Sequence, residues 1–324
     1  MSSFLNPNDF LCDILNFEKN GNEIKIPSLP KENIEYNATK RAELYFLELL
    51  MVDILDGIIG HVSKYSYFTN ESQSVIENET NEDNNQAFYK WIKSLIDKNG
   101  IVRMYTLNYD RLFKIILENR GVEIFEGFDS NALVESLDKI LPDIEKILSD
   151  QDSSTYYNLH GSAYWKLQTR NFYGLPTLQF YLNETPNLSY NQDELITKQL
   201  DKGRNSLITN IIAGYQKTAR LSISPFKQIH SAYDKDCILA DNIYIVGYSF
   251  GDEHINESIK TALINNKGLK MKIIDPGFII NKIEDKLFSE IFPRCISAIG
   301  HNPVMPAMTS LLNRRSPKYL RLSL

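Results

Sequence analysis

Ile101-Val102-Arg103-Met104-Tyr105-Thr106-Leu107 runs straight into Asn108-Tyr109-Asp110, and a helical pattern through Leu112, Phe113, Ile116 and Leu117 follows as far as Gly121. A short β-branched and aromatic run that stops at a polar cluster and continues as a helix is one strand–turn–helix unit. Three more runs end the same way. Tyr156-Tyr157-Asn158-Leu159 meets His160-Gly161-Ser162, Asn242–Val246 meets Gly247-Tyr248-Ser249-Phe250-Gly251-Asp252, and Lys270–Ile274 meets Asp275-Pro276-Gly277. Strands alternating with helices imply a parallel sheet. Ligands of such sheets bind just outside the carboxyl ends of the strands. Asn, Asp, His, Ser and Gly gathered at those ends therefore point to a small-molecule site, with a nucleotide as the expected ligand.

The surrounding sequence fits around this core. Leu44, Leu47, Leu50, Met51, Ile54, Leu55 and Ile58 recur at helical spacing, predicting a helix from about Asn37 that Gly60 stops. Asn70 to Gln86 is polar and acidic and reads as an exposed loop. A second amphipathic helix runs through Phe88, Trp91, Ile92, Leu95 and Ile96 to Gly100. Asn131 to Leu148 has helical patterning broken by Pro142, Ala163 to Tyr190 is aromatic with turn residues (a hairpin or lid), and Asp193 to Tyr215 reads as a helix before Ile223-Ser224-Pro225-Phe226. A helix from Asp252 to about Ile264, another near Ile279–Ile291 and a strand at Cys295–Ile299 complete the pattern. The expected class is α/β, a doubly wound, mostly parallel Rossmann-like sheet with a helical N-terminal segment and helical or hairpin insertions. The expected organisation is a helical segment over 1–87 with its acidic loop at 70–86, a nucleotide-binding domain over 88–310 with insertions at about 129–150 and 163–215, and a tail over 311–324.

Bulk properties narrow the function. The chain has 324 residues, 43% of them hydrophobic and 23% charged, as in ordinary soluble domains. A net charge of −6 argues against direct nucleic-acid binding, which needs clustered Lys and Arg. Cys12, Cys237 and Cys295 lie far apart without a Cys-x-x-Cys pair, so neither a zinc ribbon nor a disulfide framework is expected, and no metal. Leu44 to Ile59 is interrupted by Glu48, Asp53 and Asp56, so no membrane span is expected. No secretory signal is apparent, and a cytoplasmic location is the expectation.

Each polar cluster also has an ordinary structural explanation. Asn108 and Asp110 sit where residues of these types cap the free amides of a helix. His160-Gly161 suits a satisfied turn, and Gly247-Tyr248-Ser249 suits a tight turn before a helix capped by Ser249 or Asp252. Their joint order carries more than any one of them.

Taken together, Thr106-Leu107-Asn108-Tyr109-Asp110, Asn158-Leu159-His160-Gly161-Ser162, Ser224-Pro225-Phe226-Lys227 and Ile245-Val246-Gly247-Tyr248-Ser249-Phe250-Gly251-Asp252 resemble the sirtuin-like nucleotide-binding domains. The resemblance is strongest to the bacterial branch of anti-phage defence proteins that hydrolyse NAD, and it covers about Phe88 to Ile299. It implies that Asn108 holds the nicotinamide ribose and the attacking water, that Asp110 orients that loop or the ribose, and that His160 is the base. It further implies that Thr106, Gly161, Gly247 and Ser249 let backbone and hydroxyl groups approach the dinucleotide, with Asp275 near the adenosine ribose. A homo-oligomer, and a partner defence protein, are also implied.

These residue types suit that chemistry. Breaking the nicotinamide–ribose bond builds oxocarbenium character on the sugar, which asks for positioning and electrostatic support more than for a strong nucleophile. Histidine, with an ordinary pKa of about 6.5, can take a proton near neutrality, and Asn offers both a donor and an acceptor to a water. Protein-deacetylating sirtuins resemble this core but usually carry a four-cysteine zinc module, and its absence favours plain NAD hydrolysis.

The chain departs from the family pattern at one point. The family opens on a strand and a glycine-rich loop that cradles pyrophosphate, whereas here there is no glycine before Gly21 and no Gly-x-Gly; Gly57-Ile58-Ile59-Gly60 ends a helix instead of starting one. The first strand of such a sheet is central, so a gap is expected unless Glu23-Ile24-Lys25-Ile26 fills it. Either the chain starts downstream of the true beginning, or it is a degenerate member. That second option makes a non-catalytic nucleotide sensor or assembly scaffold the alternative function. A further alternative is a serine hydrolase: Gly247-Tyr248-Ser249-Phe250-Gly251 matches a nucleophile elbow, with Asp275 and His301 following in hydrolase order.

Overall fold

The computed structural model describes residues 50–63, 79–98, 100–129, 139–172, 175–191, 208–213, 221–248 and 250–274. Their elements, in chain order, are helix α1 over 50–62, α2 (Glu79–Ile96), strand β1 (Arg103–Thr106), α3 (Leu112–Glu118), β2 (Phe128–Asp129), β3 (Leu141–Pro142) and α4 (Ile144–Ser149). There follow β4 (Thr155–Asn158), β5 (Trp165–Phe172), β6 (Leu175–Leu182), β7 (Tyr190–Asn191), β8 (Ile208–Thr209), α5 (Phe226–Leu239), β9 (Asn242–Val246), α6 (Glu253–Asn265) and β10 (Lys270–Ile274).

Two parallel pairs form the centre. β1 pairs with β4, matching Met104 to Tyr156 and Thr106 to Asn158. β9 pairs with β10, matching Ile243 to Met271 and Ile245 to Ile273. Among the described residues no ladder joins the two pairs, so the continuous doubly wound sheet expected from sequence is seen here as small parallel pieces in a mixed α/β chain. Glu23–Ile26 lies outside the described residues.

The alternation of strand side chains nevertheless gives both pairs the same two faces. Tyr105, Tyr157, Ile245 and Met271 share one apolar cluster with Phe226, Ile229 and Tyr233 of α5 and Ile255 and Ile259 of α6. Tyr156 and Ile274, with Met104 and Val246 packed beside them, share the other with Phe88 and Ile92 of α2 and Ile116 and Leu117 of α3. Helices thus cover both faces, as a parallel pair buried on both sides requires. Trp91 of α2 meets Tyr244 of β9 edge-on at 5.3 Å between ring centroids, tying that layer down.

Several boundaries differ from the sequence expectation, each for a local reason. The first helix runs through Gly60 to residue 62, because an isolated glycine costs only about 1 kcal/mol inside a helix and Met51, Leu55, Ile59 and Val62 share one buried cluster with Ala163, Tyr164 and Ile211. α2 begins at Glu79, inside the stretch read as loop; Arg120 reaches back to Gln86 and Glu82 and holds that polar first half. Leu141–Pro142 is a strand antiparallel to Phe128–Asp129, and the helix starts only after it, capped by Asp143 accepting from the Lys146 amide at 2.9 Å. The helix expected through 215 is absent over 208–213, where Ile208–Thr209 pairs with Tyr190–Asn191. The aromatic segment is an antiparallel hairpin, β5–β6, and its Trp165 and Phe180 are buried against Phe226, Trp165 also against Phe128. Two-sided aromatic packing, at about 2 kcal/mol per buried ring, makes this segment core. The helix near Ile279–Ile291 and the strand at Cys295–Ile299 lie outside the described residues.

Candidate functional site

The register of β1 and β4 decides where the polar clusters go. Thr106 is opposite Asn158, and the Leu159 amide donates to the Thr106 carbonyl at 2.8 Å. Asn108 and His160, each two residues further on, therefore leave the pair at the same C-terminal edge. Thr106 is buried, and its Oγ1 accepts from the Asn108 amide at 3.0 Å, turning the chain immediately after the strand.

The loop over 108–110 is held from beneath by residues of β4 and the turn beyond it. Asn158 Nδ2 donates to the carbonyls of both Asn108 (2.8 Å) and Asp110 (3.0 Å). Ser162 Oγ donates to the Tyr109 carbonyl (3.2 Å), as does the Ala163 amide (2.9 Å), and the Tyr109 hydroxyl donates to the Ile212 carbonyl (2.9 Å). Asp110 Oδ1 accepts from the Leu112 amide at 2.9 Å, which satisfies one free donor at the start of α3. Desolvation raises the Asp110 pKa, although its backbone hydrogen bonds oppose the rise. Asp110 thus does the capping job open to it from sequence, and the Asn108 loop is fixed independently of any ligand. Arg111, paired with both carboxylate oxygens of Glu126, stacks on the Tyr164 ring at 4.5 Å and fixes the entry to α3 from outside.

His160 is 2% exposed and stands at a crowded turn. The next residue, Gly161, has φ +83°, and a Cβ there would strike the Asn210 carbonyl and approach Phe226 Cε1 to 3.0 Å. Only glycine fits both the left-handed backbone and that approach. Asn210, fully buried, donates to the Ser162 and Asn187 carbonyls (2.9 Å each) and accepts from the Ser189 amide (2.9 Å), joining three distant segments. The Ile212 amide donates to the His160 carbonyl at 2.7 Å.

The second parallel pair brings its own edge to this place. After β9 the backbone is left-handed at Gly247 (φ +65°) and at Phe250 (φ 59°). The Tyr248 hydroxyl accepts from the Asp252 amide (3.1 Å) and donates to Asn256 Oδ1 (2.9 Å), while Asn256 Nδ2 donates to the Phe250 carbonyl (2.8 Å). That lock fixes the start of α6, and there His254 comes to lie with its Nε2 3.2 Å from His160 Nε2. His230, on α5, stacks obliquely on His254 at 5.4 Å between ring centroids and donates from Nε2 to the Leu159 carbonyl at 2.9 Å. Burial, with His254 nearby, lowers the His230 pKa to about 4, so it is neutral at pH 7 and acts as a fixed donor beneath the residue preceding His160. His160, Asp252 and His254 each offer a ligand atom within 4.8 Å of the others.

Of the residues proposed from sequence, Thr106, Asn108, Asp110, His160 and Gly161 thus gather along one edge. Gly247 lies on the loop that carries Asp252 and His254 to it. Ser249 and Asp275 lie outside the described residues, as does His301 of the serine-hydrolase alternative. In the sequence Asn158 stands out only as part of its motif, and Asn210, His230 and His254 do not stand out at all. The one available signal was Asp252-Glu253-His254 at the start of a helix, directly after a glycine-bounded strand end.

A strand edge carrying Asn and His loops, on parallel pairs covered by helices on both faces, is the place where α/β folds bind their ligands. The family model of the SIR2-like domain matches residues 102–286, more than half of the chain, and this chain belongs to that family. The matched segment includes Asn108, Asn158, His160, His230, Asp252 and His254. SIR2-like domains bind NAD, so the function is NAD-related. No curated protein matches the chain. No described helix is long and apolar enough to cross a membrane.

Proposed function

We propose that this chain hydrolyses NAD, with water, to nicotinamide and ADP-ribose, releasing one proton. The observation that carries this reading is Asn158, whose single amide group ties the carbonyls of Asn108 and Asp110 to the strand that delivers His160. Such preorganisation suits a reaction that depends on placing a water and a sugar carbon. NAD would lie across the strand ends, Asn108 would hold water at the ribose carbon, and His160 would accept the proton. Asp110, already committed to the Leu112 amide, would act through the loop's shape. Thr106 and Gly161 would serve by fixing the turns, with Gly247, Ser249 and Asp275 toward the rest of the dinucleotide.

Purified chain incubated with NAD and followed by chromatography tests the reading. Nicotinamide and ADP-ribose should accumulate, and Asn108→Ala or His160→Ala should abolish the products while leaving the fold intact. Unchanged turnover in both variants would refute the site. We also propose that the setting is anti-phage defence, in which the chain works as a homo-oligomer or with a partner defence protein. Protection of phage-challenged bacteria that disappears with His160→Ala is the expected result.

A second reading, nucleotide sensing without hydrolysis, is favoured by one observation: His160 Nε2 is already engaged with His254 at 3.2 Å. NAD binding by calorimetry with no product after prolonged incubation would select it.

A further inference from the structure

We propose that His160, Asp252 and His254 form a reversible binding site for a divalent transition-metal ion of the zinc type. The three residues come from two distant segments, the turn after β4 and the start of α6, and their ligand atoms lie within 4.8 Å of one another. The two Nε2 atoms are 3.2 Å apart. An ion at about 2.05 Å from each nitrogen, the ordinary zinc–imidazole distance, would subtend roughly 100° between them, close to the tetrahedral angle. Two imidazoles and one carboxylate make a mixed nitrogen–oxygen set that suits zinc, cobalt, iron or nickel better than calcium or magnesium. Without an ion, the 3.2 Å separation suits one proton shared between the same two nitrogens in a hydrogen bond.

The surroundings support a ligand role for Asp252. Its backbone amide donates to the Tyr248 hydroxyl at 3.1 Å, which fixes its place just before the first turn of α6. His254, on the first turn of the same helix, is held by the Tyr248–Asn256 lock, so the spacing of the two ligands belongs to a rigid element. His160 is buried while Asp252 and His254 are half-buried, so the ion would enter from the α6 side.

The consequence rests on the NAD-hydrolase reading. An ion bound to His160 Nε2 takes up the lone pair the base needs, so metal occupancy switches turnover off and chelation restores it.

Untagged full-length protein, stripped with chelator, is titrated with Zn2+ against a chromophoric competitor and separately with Co2+, whose visible absorption reports ligand geometry. Wild type should bind one equivalent, and His254→Gln and Asp252→Asn should each weaken binding by about tenfold or more, since even outer partners of metal ligands cost that much. Asp252→Asn retains a residue equally good at a helix start, so it decides alone if His254→Gln fails to fold. No stoichiometric binding by wild type, or equal affinity in the folded variants, overturns the site. A Zn2+ midpoint for inhibition of NAD turnover that matches the binding midpoint supports the switch. Turnover unaffected at saturating Zn2+ overturns the switch and leaves the site standing. If metal-free wild type does not consume NAD at all, the hydrolase proposal fails, while the metal titration is still read independently.

Discussion

Replacing Asn158 by Asp changes one NH2 group to an oxygen and leaves the side chain's shape almost untouched, yet it should be more damaging than removing the side chain. Asn158 is 4% exposed and donates to two carbonyls, at 2.8 and 3.0 Å. The substitution removes both hydrogen bonds, at about 1 kcal/mol net each. It also sets a desolvated carboxylate against two carbonyl oxygens, for about 2 kcal/mol or more beyond that. The total is about 4 kcal/mol, against about 2–3 kcal/mol for Asn158→Ala, which loses the bonds but leaves room for a water. At about 2–4 °C per kcal/mol for a domain of this size, the Asp variant should melt roughly 10 °C below wild type and visibly below the Ala variant. The introduced carboxyl will have a raised folded pKa, so the folded variant binds the proton more tightly than the unfolded chain. Its deficit therefore grows as pH rises through that folded pKa and narrows in acid, where the protonated group regains one donor. Thermal melts at several pH values test this, with amide exchange across Asn108–Leu112 as the local probe. An Asp variant as stable as Ala or wild type, or unaltered exchange in that loop, would show that Asn158 does not hold the loop.

Gly161→Ala should cost more than about 3 kcal/mol by urea denaturation, combining about 1–2 kcal/mol for a left-handed alanine with the collision against the Asn210 carbonyl; a loss under about 1 kcal/mol would contradict the packing. Asp110→Asn keeps an oxygen for the Leu112 amide and removes a charge that burial disfavours. Because the folded Asp110 pKa is raised, wild-type stability falls as pH rises through that pKa; the variant should lack this slope and be at least as stable at pH 7, as melts across pH 4–8 would show. Burial pushes the Cys237 thiol up to about 12. In a Cys12→Ser, Cys295→Ser background its iodoacetamide labelling at pH 8 should be at least about a thousandfold slower than that of an ordinary thiol with a pKa of about 8.5. Urea should restore the ordinary rate, and fast labelling of the folded protein would contradict its burial.

The strands that frame the site were legible because their signal is local. Met104–Tyr105–Thr106 and Tyr156–Tyr157 are β-branched or aromatic runs ended by polar turns, and so are Asn242–Val246 and Lys270–Ile274; all four became strands in parallel pairs. Boundaries failed where a tertiary contact outweighed local preference. Gly60 did not stop its helix because apolar residues on both sides of it were buried, and the acidic run from Glu79 became helical with Arg120 as its partner. The Ile208–Asn210 stretch fell inside the helix expected over Asp193–Tyr215, but Asn210 is consumed by three backbone groups that only the folded chain places around it.

The histidines show the same limit at the site itself. His160 was visible because it follows a strand directly. His254 was not, since a histidine on the first turn of a helix normally faces water, and its place just after a glycine-bounded strand end is the one local signal otherwise. Its role depends on α6 being aimed at the end of a strand almost a hundred positions earlier, and that aim is set by Tyr248 and Asn256, which look in sequence like an ordinary core tyrosine and a surface amide. His230 is a further step removed: its neutral imidazole donates to the Leu159 carbonyl and packs on His254. Burial strips water from its charged form, and with His254 nearby this outweighs the Leu159 carbonyl bond that would favour a proton, so its pKa falls to about 4 and it serves as a rigid support below the pair. The chemistry-bearing nitrogens are thereby reduced to His160 and His254. Whether those two hold a shared proton or a shared ion is decided by Asp252, the only carboxylate among the three grouped donors.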